Sequence, residues 1–390
     1  MADDPFDPTL QPSPDGGWSE TITTLENATV VPPTESNFVQ ASGVLASDGA
    51  YCHQGALWRK YRPLTTEPEI PAQVDQEISG RWLWGGVLWV HFGHFLVEST
   101  SRLWALDQLD KPINGILFIP KRPKVGDSIQ GFQKDFIQLM SPDTPVRVAA
   151  VPSRVQELVV PGQGFGLGKI TSGTQKFRDA LHNQFARAIE PEGPEKLYIS
   201  RSALGLGKGG MLGEERLEQL LEAEGYTIFH PQKHDMATQI ARYKAAKQVV
   251  AADGSALHMF AMVGRPDQQV AMILRRKSGA HNLLADNVAH FCGRPPLVIG
   301  ALRTEWVKAN KQRSNRNSFG ELNLLAVGHA LGEAGFVRKG ANWPDLSQQE
   351  REQIFSDKGL TGNDEFVESP EYVRKRVRAI RQARRAARAT

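Results

Sequence analysis

The segment Lys196–Val263 constrains the fold more than any other part of the chain. Short apolar runs such as Leu197–Ile199 and Val249–Ala251 alternate there with longer amphipathic runs. That alternation is the βαβα pattern of a parallel sheet covered by helices, and its crossovers are expected to be right-handed. Strands are expected near Leu197–Ser200, Tyr226–Phe229, Gln248–Ala251 and Val270–Ile273, with helices near Glu214–Ala223, Met236–Ala246 and Ser255–Met262 between them. Two features fall where such sheets bind ligands. Arg201 follows the first apolar run, and Asp253-Gly254-Ser255 joins a strand end to a helix start. Free N–H groups and the helix dipole make such a turn an anion site, and a guanidinium suits phosphate oxygens. The residues thus point to a phosphorylated ligand, a nucleotide first of all.

The rest of the chain reads as a second α/β layer with appendages. Residues 1–38 form a Pro-rich N-terminal arm, an irregular leader for which Trp18 is the natural anchor. Residues 39–165 read as an N-terminal α/β domain. Its expected strands are Trp82–Trp89 with a bend at Gly85-Gly86, Gly115–Ile119, Val146–Val151 and Val155–Val160. Helices are expected over Gly93–Gln108 and Ser128–Leu139. The run PGQGFGLGK at Pro161–Lys169 lacks GxGxxG or Walker spacing and reads as a hinge or surface loop. A helix over Gln175–Ile189 leads into a C-terminal α/β domain at 170–303. A helical segment at 304–370, carrying Leu322, Leu325 and Leu331, and a basic tail at 371–390 follow.

Bulk numbers exclude several classes. The 390 residues suffice for two cored domains, with 40% hydrophobic and 23% charged residues. Two cysteines, Cys52 and Cys292, could pair, but so low a count more simply indicates a reducing compartment, and the acidic, Pro-rich start does not read as a signal peptide. The apolar run near Trp82–Val97 is interrupted by Gly85, Gly86, His91 and His94 and is too polar to span a bilayer. The net charge of +3 is misleading, because Arg374–Arg388 holds eight Lys and Arg and no acid; without it 38 basic residues face 43 acidic ones. A body that is mildly acidic gives no argument for specific nucleic-acid binding. The tail is helix-prone, with Val373, Val377 and Ile380 on one face, which fits either an anionic lipid surface or a solvated basic segment.

His94, Glu98 and Arg102 recur at intervals of four, which places them along one face of the expected helix. A histidine can take a proton from a hydroxyl near neutral pH, and a carboxylate beside it can orient it; the plainer reading is a Glu98–Arg102 ion pair. His91 and His94 lack a third ligand at useful spacing, so no metal site is expected. No DxD pair stands in the globular part, which favours arginine, lysine and helix dipole over a metal for holding a diphosphate.

Four motifs together carry a resemblance: GHFLVESTSRLW (93–104), LYISR (197–201), Glu214-Glu215 before EGY, and VVAADGSALHMF (249–260). They resemble glycosyltransferase family 61, which includes bacterial surface-polysaccharide transferases, plant xylan transferases and an animal O-GlcNAc transferase. Where that family commonly has His-Gly-Ala, this chain has Asp253, with His258 four residues after Gly254. A carboxylate beside phosphate is unfavourable unless it points away. The resemblance implies a GT-B-like fold, two Rossmann-like parallel-sheet domains facing a cleft, with the C-terminal helical segment packing back on the body. It also implies an inverting, metal-independent reaction with no cofactor. The expected donor is a nucleotide-diphosphate sugar, a UDP-sugar favoured. It would be held by Arg201, Lys208, Glu215, Gly254, Ser255, Ala256 and His258, with Glu215 near the sugar or ribose hydroxyls. His94 and Glu98 are the expected catalytic pair, and the acceptor a glycan or lipid-linked glycan of a surface or capsule polysaccharide. The location implied is cytoplasmic, with a peripheral position on the inner face of the membrane through the tail. The rivals are another phosphate-donor transferase on the same fold and a nonenzymatic envelope-assembly or binding protein.

Overall fold

The computed structural model describes residues 4–361 and 365–389; residues 1–3 of the expected arm, 362–364 and Thr390 of the tail lie outside the described residues. The fold is mixed α/β, and the chain divides into two compact units. One comprises Met1–Glu190, Ser255–Arg265 and Asp286–Arg294; the other comprises Pro191–Gly254, Pro266–Ala285 and Pro295–Thr390.

The first unit is built on a six-stranded sheet of β1 (Ile22–Val31), β2 (Gly43–Leu45), β3 (Gln76–Leu88), β4 (Gly115–Pro120), β5 (Val146–Val148) and β6 (Ser153–Pro161), in the order β2-β1-β6-β3-β4-β5. The pairs β6–β3, β3–β4 and β4–β5 are parallel, whereas β1 is antiparallel to both of its neighbours. Val30, Val44, Trp84, Leu117, Val155 and Val160 meet in its core. The bend expected at Gly85-Gly86 is a register shift in β3, where Gly86 has φ +87°. A Cβ on Gly85 would lie 2.3 Å from the Phe118 ring, so the strand can cross β4 only without a side chain there.

Three expectations fail in this unit. The irregular arm contains the ten-residue β1, whose polar half hid the strand pattern, although Trp18 is buried as its anchor. The hinge at Pro161–Lys169 is packed protein: residues 161–166 are buried, and Gln163 bonds Trp58 N–H, Trp58 O and Phe165 O. Its glycines serve close approach, since a Cβ on Gly162 would stand 2.0 Å from Trp18 O. The continuous helix over Gly93–Gln108 is instead an α-turn at Phe92–His94, a π-helix at Phe95–Ser99 and a 3₁₀ helix at Leu103–Gln108. Helix α1 (Gly131–Met140) and α2 (Gln175–Gln184) complete this part.

The second unit holds a five-stranded, all-parallel sheet of β7 (Lys196–Ile199), β8 (Thr227–Phe229), β9 (Gln248–Ala252), β10 (Gln269–Ile273) and β11 (Leu297–Ile299), ordered β8-β7-β9-β10-β11. Helices α3 (Glu214–Glu222) and α4 (Met236–Ala245) make the first crossovers, as the periodicity predicted. Tyr198, Val250, Ala271 and Ile273 pack with Leu217 and Leu221 in its core. After β8 the chain returns to the other side of β7 to lay down β9. The C-terminal ends of β7 and β9 therefore flank a topological switch point, where open α/β sheets bind ligands.

Helix α5 (Ala256–Val263) follows β9 but clusters with the first unit, as does the end of α6 (Ala280–Phe291). The segment read as helical from 304 also contributes strands to a four-stranded sheet of Gly210–Met211, Phe319–Leu322, Leu302–Lys308 and Phe366–Glu368. Leu322 thus ends a strand, and Leu325 is exposed on α7 (Leu324–Glu333), while Leu331 is buried. Beyond α8 (Gln348–Asp357) the basic tail is the helix α9 (Pro370–Ala389). Among the described residues no helix is long and apolar enough to cross a membrane.

Candidate active site

In the first unit the wide π-turn carries Glu98 inward. Thr100 N–H reaches Phe95 O at 3.3 Å, and the Glu98 side chain has no exposed surface. Such turns recur at functional sites because they re-aim side chains that an α-helix would hold elsewhere. Arg59 meets the buried carboxylate with both prongs, Nε to Oε1 at 2.6 Å and Nη2 to Oε2 at 2.5 Å. His94 Nδ1 lies 3.0 Å from Glu98 Oε2 and 3.1 Å from Arg59 Nη2, and its ring is 4.7 Å from Trp89. Arg102 does not join this group. It is buried, donates to Pro161 O and Ala56 O, and burial pushes its pKa down to about 10. Arg59, distant in sequence, replaces the expected Glu98–Arg102 pair.

The start of α5 belongs to the same neighbourhood: a Cβ on Gly93 would lie 2.5 Å from Ser255 Oγ. Ser255 is itself helical and makes no capping bond, so it does not act as an N-cap. Ala256 opens the helix, and one turn on His258 Nδ1 bonds Asn287 Oδ1 at 2.9 Å. Burial pushes the His258 ring down to about 4; the Asn287 bond opposes this and the charge of His94 adds to it.

In the second unit the switch point is occupied by arginines. A Cβ on Gly254 would lie 2.8 Å from Arg201 Nη1, and Arg201 Nη2 donates to Lys208 O at 3.3 Å. Arg275 and Arg276 follow β10 after Leu274. Arg201 Nε, Arg275 Nη1 and Arg276 Nε are buried donors without a partner. Burial lowers the Arg201 pKa and brings Arg275 down to about 10; Asp253 opposes both shifts, and in each case Arg276 adds to the lowering. Cations that repel one another and hold spare donors gain by sharing an anion.

Two carboxylates frame this cluster. Asp253 accepts the Arg275 N–H at 2.9 Å, and Arg275 Nε returns to Asp253 O at 3.0 Å. The acid that stands where the resemblance suggested histidine is thus turned toward β10 and holds an arginine. Glu214 is buried beneath β7, accepting from Arg201 N–H at 2.7 Å and Tyr198 Oη at 2.9 Å. Burial raises the pKa of both acids. Both are therefore pushed toward their neutral forms, which leaves the arginine charge dominant.

Residues 92–270 match the family model described as Glycosyltransferase 61. The match covers a little under half of the chain and supports reading it as a family 61 glycosyltransferase. It is a glycosyltransferase, and such an enzyme requires a sugar donor and a glycan acceptor. Comparison with curated proteins gave no match.

In this glycosyltransferase the expected residues form two groups. His94, Glu98, Ser255, Ala256 and His258 lie in the first unit, and Arg201, Lys208, Glu215 and Gly254 in the second. Lys208 joins its group through its carbonyl, its side chain being exposed, and Glu215 bonds Lys358 at 2.6 Å at the end of α8. The buried acid is its neighbour Glu214. Arg275 and Arg276 were legible, because an arginine pair directly after an apolar run is the signal that identified Arg201. Arg59 gave none: it stands in the short hairpin Trp58–Pro63 and pairs across 39 positions. Among the described residues no three His, Cys, Asp or Glu side chains are grouped to hold a metal ion.

The His258 environment sets a pH dependence. Its folded pKa lies below the unfolded value, so the unfolded chain binds the proton more readily between about pH 6.5 and 4. The contribution is complete above that window and declines as pH falls through it, by up to about 3 kcal/mol. Urea unfolding at pH 7 and pH 4.5 should show His258→Gln losing less stability on acidification than the parent. Equal losses would mean that the ring is not held neutral.

Proposed function

We propose that this glycosyltransferase moves a sugar from a nucleotide-diphosphate sugar, a UDP-sugar favoured, to a hydroxyl of a glycan or lipid-linked glycan acceptor. The reaction inverts the anomeric carbon and needs no metal. The observation that carries the reading is the set of spare donors on Arg201, Arg275 and Arg276 at the switch point of the parallel sheet. As the bond from the anomeric carbon to the diphosphate oxygen breaks, its electron pair moves onto the leaving diphosphate. Fixed guanidinium groups stabilise that charge where it develops. Gly254 permits the close approach of Arg201, and Ser255, next in the chain, offers its hydroxyl just before a helix start whose free N–H groups favour an anion. Lys208 adds positive charge. The acid near the sugar or ribose hydroxyls, expected as Glu215, is better filled by Glu214, whose Oε2 has no partner.

On the acceptor side, His94 is the base and Glu98 its positioning residue. The carboxylate 3.0 Å from Nδ1 favours a proton there, which leaves Nε2 its lone pair for the acceptor proton. Arg59 meets the buried Glu98 carboxylate with both prongs. The acceptor oxygen attacks the face opposite the diphosphate, forms the new glycosidic bond and inverts the centre. The reading keeps the GT-B class and the expected domain boundaries. It places the enzyme in surface or capsule polysaccharide synthesis in the cytoplasm, with α9 on the anionic inner face of the membrane. Val377 and Ile380 are exposed on that basic helix.

The test is turnover of a panel of UDP-, GDP- and CMP-sugars with EDTA present, with the product anomer read by proton NMR. One donor should be consumed with inversion at an undiminished rate. Strict dependence on added metal, or retention, contradicts the mechanism; consumption of no donor favours a binding protein.

A further inference from the structure

Beside His94 the first unit displays aromatic rings that folding does not explain. Tyr61 is 74% exposed and Phe38 48%, on the hairpin Trp58–Pro63 and the loop before residue 40. Each is matched with a cation. The Arg62 guanidinium lies 5.0 Å from the Phe38 ring and 5.9 Å from the Tyr61 ring. Arg59 lies 5.4 Å from Phe38 and 4.9 Å from Trp89, and Lys121 Nζ lies 5.4 Å from Trp89. Arg59 is neutralised by Glu98, and Lys121 is satisfied by Asn37 O and Phe38 O. Arg62 has no ion pair among the described residues. The indole N–H of Trp89 has no partner either. The nearby acid Glu35 is engaged by Asn37.

Such a surface suits one class of ligand. Flat rings take the apolar faces of sugars, as aromatic residues do at interfaces that are apolar on one side and wet on the other. Neutral sugars alone would not need the cations, and an apolar partner protein would not tolerate an unpaired Arg62. The platform is continuous with the proposed base, since the Trp89 ring lies tilted 4.7 Å from that of His94 and Arg59 bonds Glu98. We propose that Phe38, Tyr61, Arg62 and Trp89 form the acceptor subsite and that the acceptor is an acidic glycan carrying a carboxylate near Arg62. This rests on the glycosyltransferase reading, but it concerns acceptor binding alone and can fail without it.

The experiment is titration of the full chain with tetragalacturonate and with a neutral cello-oligosaccharide of equal length, followed by tryptophan fluorescence at low and high salt. The acidic ligand should bind at least tenfold more tightly at low salt. Arg62→Gln should remove most of that preference, and Tyr61→Ala should weaken both ligands. Thermal shifts with nucleotides should stay as in the parent, which shows that the variants fold and that donor binding is separate. Equal binding of neutral and acidic chains, or no effect of either variant, overturns the proposal. So does binding to vesicles containing phosphatidylglycerol, lost in Arg62→Gln, without binding of the acidic ligand; that result would assign the patch to a membrane surface.

Discussion

Arg201→Ala is expected to lower kcat by about 10²–10³-fold, the usual cost of removing one fixed donor from a developing negative charge. The loss should fall mainly on kcat, because the diphosphate carries more charge as it leaves than while bonded to the sugar. Arg201→Lys should recover only part of the rate, since an ammonium cannot reproduce the planar donor set that meets both Gly254 and Lys208 O. The fold should survive, because the Glu214 contact is made by the Arg201 backbone N–H and not by its side chain. Steady-state kinetics on the consumed donor, with the melting temperature as a control, decides the matter. Near-parental kcat in a folded variant would remove Arg201 from the mechanism.

The second large effect is expected at His94. His94→Ala should lower kcat by about 10²–10⁴-fold, the range for loss of a positioned general base. The limb of the pH–rate profile on which activity rises as the base loses its proton should disappear. Glu98→Gln should act through the ring and cost less, because the amide still stands beside Nδ1 but pairs less well with Arg59. If His94→Ala keeps the limb, another group takes the proton. If Glu98→Gln costs as much as His94→Ala, Glu98 does more than position the ring.

Much of the second unit was legible because its strands are buried on both faces and its helices are amphipathic, so hydrophobic period and element type coincide. The same regularity located Arg201 and Gly254, since an arginine or a glycine at a strand end is visible without tertiary knowledge. The first unit was harder for physical reasons. Half of β1 is polar and lies at intermediate depth or exposed, so its alternation is weak; it is a strand because β6 offers partners from Ile22 to Val30. The π-turn at Phe95–Ser99 keeps helical spacing in the sequence while changing where Glu98 points, and no local pattern reports that. Pro161–Gly166 has the composition of a hinge, yet its glycines are there because Trp18 and Trp104 leave no room for side chains. Charge partners were the least legible of all. The Asp253–Arg275 and Arg59–Glu98 pairs depend on which strands and loops become neighbours, and only the folded chain determines that.

The central claim is that the arginine cluster holds a nucleotide diphosphate without help from a metal. Isothermal titration of UDP, GDP and CMP into the parent enzyme and Arg201→Ala, all in EDTA, tests it most directly. One diphosphate nucleotide should bind the parent in EDTA and bind the variant at least tenfold more weakly. Binding that appears only when a divalent ion is restored, or that is equal in the two proteins, would contradict the account.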